Sequence, residues 1–163
     1  MKNLTKEKII EFITQSNLIE GIGEEGFEDS LKAFEYIMQV QTPLTRKHIL
    51  KTHKLLMKRL NPRIAGKIRT CNVRVGARVC PPIKMIPEKM HAFLYIINAT
   101  ITKERSKERY SKISHVAFEL MHPFEDGNGR TGRLLMCWHR KQMGLPILII
   151  KDKEKFDYYN WFK

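Results

Sequence analysis

Residues 122–133, with the sequence HPFEDGNGRTGR, bring together side chains that are suited to phosphate chemistry. His122 supplies an imidazole that can accept a proton at neutral pH. Asp126 supplies a carboxylate, the kind of oxygen ligand that Mg²⁺ uses when phosphates provide its other ligands. Arg130 and Arg133 add two cations one helical turn apart. The segment therefore predicts a site where a general base lies beside a bound phosphate.

The sequence before this segment should hold His122 at a helix end. Residues 113–121 are mostly apolar and can be helical, and Pro123 stops the helix from continuing. His122 should therefore be firmly held and still exposed.

The glycines of the segment predict an anion-binding loop. Gly127 and Gly129 permit positive φ, so backbone N–H groups around Asn128 can converge on an anion. From Arg130 the sequence becomes amphipathic and favours a second helix, whose N-terminus carries partial positive charge. Arg130 and Arg133 would oppose that helix dipole unless an anion lay between them.

Length and composition predict a single domain over residues 1–163. A hydrophobic fraction of 42% is enough for a core, and no apolar run approaches the ~20 residues of a membrane span. The N-terminus lacks the apolar core of a signal peptide, and the three cysteines have no metal-binding spacing. We therefore expect a cytoplasmic protein with no membrane partner.

The formal net charge of +13 raises the question of a nucleic-acid partner. Lysine and arginine are spread along the whole chain, with no basic tail and no recognised nucleic-acid motif. Binding of nucleic acid is therefore the weaker expectation. The charge is better suited to an acidic target protein and an anionic nucleotide, or serves only to keep the protein soluble.

Apolar periodicity and capping residues predict an all-α bundle with one exception. The predicted helices span about 5–19, 31–41, 45–60 and 87–102, followed by the two helices that flank the motif. Two histidines on these helices, His53 and His115, are expected to be buried structural residues. The aromatic-rich segment 151–163 is expected to pack against the bundle.

The exception is residues 66–87, which predict a β-hairpin. Residues 67–75 alternate partly with period two, Gly76 and Ala77 suit a type II′ turn, and a short return strand follows. Pro81 and Pro82 cannot donate to a ladder, so one edge should stay open. An open edge can accept an extended segment of a target protein, although a purely structural hairpin remains the alternative.

Glu20 is unusual because it ends the first predicted helix, just before the glycine stop at Gly21. A carboxylate there faces the negative end of the helix dipole, which costs about 0.3–1 kcal/mol. A cationic partner elsewhere in the chain would remove the conflict, and an ordinary solvated glutamate is the alternative.

The segment 122–133 resembles the signature of the Fic family, HxFx(D/E)GNGRxxR, at every fixed position. The resemblance implies a helical Fic fold with a β-hairpin flap over residues 66–87. It also implies transfer of a nucleoside monophosphate, usually AMP from ATP, to a Ser, Thr or Tyr hydroxyl of a protein. By the same resemblance His122 is the general base, Phe124 anchors the loop in the core, and Asp126 holds Mg²⁺.

The remaining signature positions are implied to bind the nucleotide. Gly127, Asn128 and Gly129 would cradle the phosphates, and Arg130 and Arg133 would bind phosphate oxygens, with Arg133 at the γ end. The resemblance also suggests that Tyr158 or Tyr159 approaches the base.

A second resemblance concerns residues 16–21, SNLIEG, which match the inhibitory motif (S/T)xxxE(G/N) of Fic proteins. It implies that residues 1–21 form an inhibitory helix in which Ser16 and Glu20 face Arg133 and obstruct the γ-phosphate. Glu24 and Glu25 are weaker candidates for the same pairing.

Several alternatives stay open. The related Doc proteins phosphorylate and carry a lysine at the position of Gly129, so adenylyl transfer is favoured here. Removal of AMP, with Glu20 positioning a water, and use of another nucleotide are alternatives within the enzyme class. A basic protein that only binds nucleotide or nucleic acid is the non-enzymatic alternative, and a homo-oligomer is left open.

Overall fold

The computed structural model describes residues 4–103 and 105–162 as a helical bundle with one small hairpin. In these residues seven α-helices accompany a single two-stranded antiparallel sheet, so the predicted all-α class is confirmed. The elements in chain order are α1 (Lys6–Ile19), α2 (Phe27–Gln39), α3 (Arg46–Met57), β1 (Arg74–Val75), β2 (Arg78–Val79), α4 (Ile86–Ala99), α5 (Lys107–Met121), α6 (Asn128–Gln142) and α7 (Lys155–Tyr159).

Helix α6 is the centre of the bundle. Twelve of its fifteen residues are buried, including the fully buried Trp138. It packs against α1, α2, α3 and α5, so the helix that follows the motif loop is surrounded by the rest of the fold. The site at its N-terminus is therefore built on a helix that is enclosed by the bundle.

Capping explains where the helices begin. Thr5 caps α1, and Thr45 caps α3 through a reciprocal capping box with His48. Helix α2 begins at Phe27, four residues before the predicted start at Leu31. Asp29 and Ser30 are residues of the capping type just before the predicted start, but they have other partners: Asp29 accepts hydrogen bonds from Arg59, and Ser30 donates to Asn17.

The predicted hairpin is present but shorter than expected. Arg74 pairs with Val79 and Val75 with Arg78, so each strand has only two residues instead of extending back to 67. Gly76 has a φ of +57°, as the first central position of a type II′ turn requires. We call residues 66–87 the flap; most of it is irregular backbone held by side chains.

In the described residues no helix is both long and apolar enough to cross a membrane. Cys71, Cys80 and Cys137 are free thiols.

Candidate active site

His122 ends helix α5 in a left-handed conformation, with φ of 48° and ψ of 63°. Its backbone N–H still donates to Phe118 O at 3.0 Å, and its Nδ1 lies 3.4 Å from Glu119 O. Because a carbonyl can only accept, Nδ1 carries the proton and Nε2 keeps a free lone pair. His122 also lines the largest cleft beside the motif, so this lone pair is available to a substrate.

The pKa of His122 is lowered to about 4, mainly by burial and further by the positive charges of Arg78 and Arg69. The imidazole is therefore neutral at pH 7. A histidine with the ordinary pKa of ~6.5 would still be partly protonated at pH 7, so this environment increases the neutral fraction of His122.

The loop between α5 and α6 is fixed by side chains of its own. The Asn128 side chain accepts from Phe124 N and donates to Phe124 O, both at 2.9 Å. Phe124 is fully buried, as predicted, and stacks on His53 with 3.7 Å between ring centroids. The Asn128 amide is thus committed to the loop, and only the Asn128 backbone can serve the predicted phosphate cradle.

His53 links this loop to the flap. Gly66 N donates to Nδ1 at 2.9 Å, so Nε2 carries the proton and donates to Asp126 O at 3.0 Å. The expected structural role is confirmed, and it includes a direct contact with the motif loop.

The N-terminus of α6 presents unused hydrogen-bond donors. The first backbone bond of the helix runs from Thr131 N to Gly127 O. Within the described part of the chain, the N–H groups of Asn128, Gly129 and Arg130 have no acceptor. The Arg130 side chain is only 2% exposed, donates to the Met57 sulfur, and leaves Nε and one terminal nitrogen without a partner. Buried cationic donors without acceptors fit an anionic ligand.

Arg133, by contrast, is fully engaged. Its guanidinium donates to Ser16 Oγ and Ser16 O at 2.9 Å, to Tyr158 OH at 3.1 Å, and to Glu20 Oε1 at 2.7 Å. It is 2% exposed, whereas the Glu20 side chain is 34% exposed. The structure therefore brings together the two residues of the inhibitory motif and the second signature arginine, from opposite ends of the chain.

Gly129 is required for that contact. A Cβ atom at Gly129 would lie 2.1 Å from Glu20 Oε1, so only glycine lets the carboxylate reach this position. The weaker candidates have other roles: Glu25 accepts from Gly23 N, and neither Glu24 nor Glu25 pairs with Arg133.

Asp126 is exposed at the mouth of the loop, where its Oδ1 accepts from Gly127 N at 2.6 Å. The described residues contain no group of three or more metal-binding side chains. A single carboxylate beside an anion site fits Mg²⁺ that takes its other ligands from phosphates and water.

A buried polar chain behind Arg133 was not predicted from sequence as a unit. Tyr158 OH, which accepts from Arg133, lies 2.9 Å from His115 Nε2, and the Tyr158 ring is 2% exposed. Tyr158 thus supports the arginine, while Tyr159 remains at the cleft. Glu119 Oε1 and His115 Nδ1 both flank Gly132 and have no hydrogen-bond partner. Burial raises the pKa of Glu119 to about 7.

Two flap arginines, also not assigned from sequence, attach the flap to the site. The buried Arg69 donates to His122 O at 2.8 Å, to Cys71 O at 2.9 Å and to Pro81 O at 2.5 Å. Arg78 donates to the carbonyls of Glu119 and Leu120 at the C-terminal end of α5. The flap contains five arginines and lysines, and composition alone does not tell which of them turn inward.

These groups surround one cleft of about 780 Å³. Its lining combines the flap turn, the end of α5, the start of α6 and the C-terminal segment: Glu20, Val75, Gly76, Ala77, Arg78, Glu119, His122, Gly129, Tyr158, Tyr159 and Phe162. The cleft is large enough for a small-molecule ligand, and the base, the anion site and Glu20 meet at it.

Comparison with known proteins identifies the family to which this arrangement belongs. The model of the Fic/DOC family matches residues 43–139, which is more than half of the chain. The chain belongs to the Fic/DOC family. The matched residues include α3, the flap, α5 and most of α6, whereas α1 with Glu20 lies outside them.

Curated relatives share the Fic/DOC region at modest identity. The "Protein adenylyltransferase Fic" of Drosophila grimshawi is 29% identical over 138 residues, covering 85% of this chain and 29% of that protein. The protein of the same name from Nematostella vectensis is 29% identical over 137 residues, covering 83% and 32%. This chain thus spans about a third or less of the length of the curated relatives that it matches.

Solved Fic structures share the fold. Fic-1 from C. elegans superposes with a TM-score of 0.81 at 22% identity, covering 98% of this chain and 56% of that one. A Fic-domain-containing signalling protein from Bacteroides thetaiotaomicron superposes with a TM-score of 0.80 at 22% identity, covering 94% and 70%. At such identities the likeness establishes the helical Fic fold.

Replacing Arg69 with methionine is expected to destabilise the protein by about 3 kcal/mol, because three carbonyls lose their shared donor. Amide exchange should also become faster across the flap. Urea unfolding and hydrogen exchange measure the two effects. Arg74→Met is the matched control, since Arg74 is exposed and makes one 3.3 Å bond to Ala77 O; its effect should stay within about 0.5 kcal/mol. Equal effects of the two substitutions would contradict the role assigned to Arg69.

Acidification is expected to lower the free energy of unfolding between pH 6.5 and about 4. Burial lowers the pKa of His53, His122 and His139 to about 4 and that of His115 to about 3, so unfolding takes up four protons in this range. Glu119 acts in the opposite direction: its raised pKa stabilises the fold below about 4.5, and this contribution is lost as the pH rises through about 7. A net uptake of about three protons gives a slope of about 4 kcal/mol per pH unit.

Urea unfolding at several pH values measures that slope. His91→Gln serves as control because His91 is exposed, and it should leave the slope unchanged. A stability that does not change from pH 6.5 to 4.5 would show that the buried histidines are not held neutral.

Proposed function

We propose that the protein is an adenylyltransferase that transfers AMP from ATP to a hydroxyl group of a target protein, and that Glu20 inhibits the transfer. The observation that carries the proposal is the juxtaposition of a neutral His122, with Nε2 free, and the unused donors at the start of α6. The name of the curated relatives supports the same reaction.

The donors at α6 suit a triphosphate. The backbone N–H groups of Asn128, Gly129 and Arg130, together with the unpartnered Arg130 nitrogens, would bind phosphate oxygens. Arg133 is the natural partner of the terminal phosphate once Glu20 withdraws. Asp126 would hold Mg²⁺, which when bound supplies positive charge beside the phosphates.

His122 acts as the general base in this scheme. Nε2 accepts the proton of the target hydroxyl, the hydroxyl oxygen attacks the α-phosphorus, and the bond between the α- and β-phosphates breaks in line. Pyrophosphate leaves, and AMP remains joined to the target as a phosphodiester. The N–H groups at the start of α6 stabilise the negative charge that develops on the phosphate oxygens.

The flap would present the target. In the described residues β1 and β2 pair only with each other, so the hairpin keeps an open backbone edge beside the cleft, which Val75 lines. An extended target segment can pair with this edge through backbone hydrogen bonds, largely independently of its sequence. Arg69 and Arg78 hold the edge at a fixed position relative to His122.

Glu20 would inhibit by occupation of the anion site. Its carboxylate lies against Gly129 and on Arg133, where the terminal phosphate would otherwise bind. ATP could then enter only with its terminal phosphate displaced, and the α-phosphate would not be aligned for attack.

Removal of AMP from a target is a second candidate function, favoured by the position of Glu20 in the same cleft as His122. Only Oε1 of Glu20 is engaged by Arg133, which leaves Oε2 to position a water for hydrolysis.

The test is to incubate the protein and Glu20→Gly with Mg²⁺ and ATP labelled at the α-phosphate, with and without a cell lysate. Transfer predicts covalent label on protein that is strong only for Glu20→Gly. A parallel incubation with γ-labelled ATP should leave no label, whereas γ-label alone would indicate a kinase. Absence of transfer, combined with release of AMP from modified protein by the wild type, would favour the second candidate.

A further inference from the structure

Acidic residues are unevenly distributed along this chain. Residues 36–87 contain twelve lysines and arginines and no aspartate or glutamate, while the remaining residues carry 18 basic and 17 acidic side chains. Lysine and arginine are indeed spread along the chain, as the sequence analysis noted. Nevertheless, almost the whole net charge of +13 arises from this one third of it.

The structure arranges part of this charge as a row on α3. Lys47, Lys51, Lys54 and Lys58 follow steps of four, three and four residues and are all exposed. The opposite face of α3 is buried. At 1.5 Å per residue, the row extends about 16 Å along the helix with a cation every 4.5–6 Å.

The row continues onto the flap. Gly66 packs against Lys54 so closely that a Cβ atom on Gly66 would lie 2.8 Å from Lys54 Cβ, and the exposed Lys67 follows directly. We call Lys47, Lys51, Lys54, Lys58 and Lys67 the basic strip.

The basic strip has no acidic partner in the described residues. No ion pair of Lys47, Lys51, Lys54, Lys58 or Lys67 occurs among residues 4–103 and 105–162.

Two arginines near the C-terminal end of the strip are already engaged. Arg59 pairs with Glu28 and Asp29, and Arg63 pairs with Glu125. At this end the uncompensated charge lies on the lysines of the strip.

The strip shares helix α3 with two residues that contact the motif segment. His53, adjacent to Lys54 in sequence, contacts both Asp126 O and Gly66 N. Met57, adjacent to Lys58, contacts Arg130. Helix α3 thus supports the motif loop with one face and presents the strip on the other, and the strip ends where the flap begins.

We propose that the basic strip docks an acidic segment of the target protein beside the hydroxyl that is modified. The inference rests on the proposed function, since it assigns the strip to the same target that the flap presents. Acidic side chains repeated every three or four residues on a target helix would match the spacing of the lysines. Docking on the strip would supply the selectivity that backbone pairing at the flap edge lacks.

The chemistry of this surface favours an acidic protein over a nucleic acid. Single-stranded nucleic acids are bound by cationic grooves in which aromatic side chains stack on the bases. Residues 36–87 contain one aromatic side chain outside histidine, Tyr36, which is not exposed. The strip supplies charge without a stacking surface.

Binding is tested with the full chain and two charge-matched variants. The strip variant carries Lys47→Gln, Lys51→Gln and Lys54→Gln. The control carries Lys8→Gln, Lys151→Gln and Lys153→Gln, three exposed lysines in other regions. Fluorescence anisotropy at low salt measures the affinity for a labelled octaglutamate peptide and for an oligothymidylate of equal charge, and circular dichroism verifies that each variant is folded.

The strip variant should bind the peptide about tenfold more weakly, and the control should change by less than about twofold. Equal losses in the two variants, or no binding of the peptide by the unmodified chain, would overturn the proposal. Tighter binding of the oligothymidylate than of the peptide, lost in the strip variant, would overturn it in favour of nucleic acid.

A second measurement distinguishes a failure of the strip proposal from a failure of the proposed function. In the Glu20→Gly background, the strip variant should label lysate proteins from α-labelled ATP several-fold less than the control variant, while both label themselves equally. Equal labelling of the lysate by the two variants would contradict the docking role of the strip and would still support the proposed transferase activity. Complete absence of labelling contradicts the proposed function, and the peptide affinities then still decide whether the strip binds acidic segments.

Discussion

Replacing His122 with alanine is expected to lower the rate of AMP transfer by about 10²–10⁴-fold, the usual contribution of a general base. The imidazole is fixed by its backbone position at the end of α5 and by the bond from Nδ1 to Glu119 O. No other neutral base is held at the same point of the cleft in the described residues. The measurement is transfer of α-label in the Glu20→Gly background, where inhibition does not mask the rate.

The affinity for ATP should survive the same substitution, because the proposed phosphate donors lie on α6 and not on His122. Calorimetric titration with ATP should give dissociation constants within about threefold of each other, which corresponds to about 0.6 kcal/mol. His91→Ala, which removes an exposed histidine of α4, is the control and should leave the rate unchanged. Normal turnover by His122→Ala would falsify the assigned mechanism.

Replacing Glu20 with glycine is expected to raise the rate of AMP transfer by about 10- to 100-fold. The substitution removes a charge-assisted hydrogen bond of 2.7 Å, a class of contact that contributes about 1.5–3 kcal/mol. That free energy is what the terminal phosphate must otherwise overcome to displace the carboxylate. Glu20→Gln, which keeps the shape without the charge, should give an intermediate rate.

Glu24→Gly provides the matched control for this effect, since Glu24 lies four residues away and does not contact Arg133. It should leave the rate within twofold of the wild type. Because Glu20 also ends α1, the melting temperature of each variant is measured alongside the rate. If Glu20→Gly folds normally but transfers AMP no faster than the wild type, the inhibitory role assigned to Glu20 is wrong.

The polar residues of the site were largely predictable from sequence because they lie close together in the chain. His122, Asp126, Arg130 and Arg133 belong to one segment whose turn chemistry and helix periodicity predict where each lies. The pairing of Glu20 with Arg133 spans 113 residues and was predicted only through a motif resemblance and an unfavourable helix dipole.

The residues that escaped prediction act through tertiary contacts. Arg69 looks in sequence like any other flap arginine, and its burial depends on the carbonyls of His122, Cys71 and Pro81 converging on it. Tyr158 lies in an aromatic run that periodicity assigns to packing, and its hydroxyl reaches Arg133 only because α7 brings this side chain against α5 and α6.

The start of α2 was misplaced for a related reason. Asp29 and Ser30 are good capping residues, which favoured a later start. In the structure their side chains bind Arg59 and Asn17, and a 3₁₀ turn over Glu24–Gly26 leads directly into the helix instead. Tertiary partners for polar side chains outweighed local propensity.

The attachment of α1 has a consequence for how activity is released. Phe12 and Ile13 belong to the main hydrophobic core, so lifting the whole helix would expose two large apolar side chains at about 1.5–3 kcal/mol each. The residues just after the helix are less enclosed: the Glu20 side chain is 34% exposed, and Gly21 follows with a φ of +68°. In the proposed mechanism, a local opening at Glu20 and Gly21 would free the carboxylate, so a resting and an active form would differ in a few residues while the core contacts of α1 stay intact.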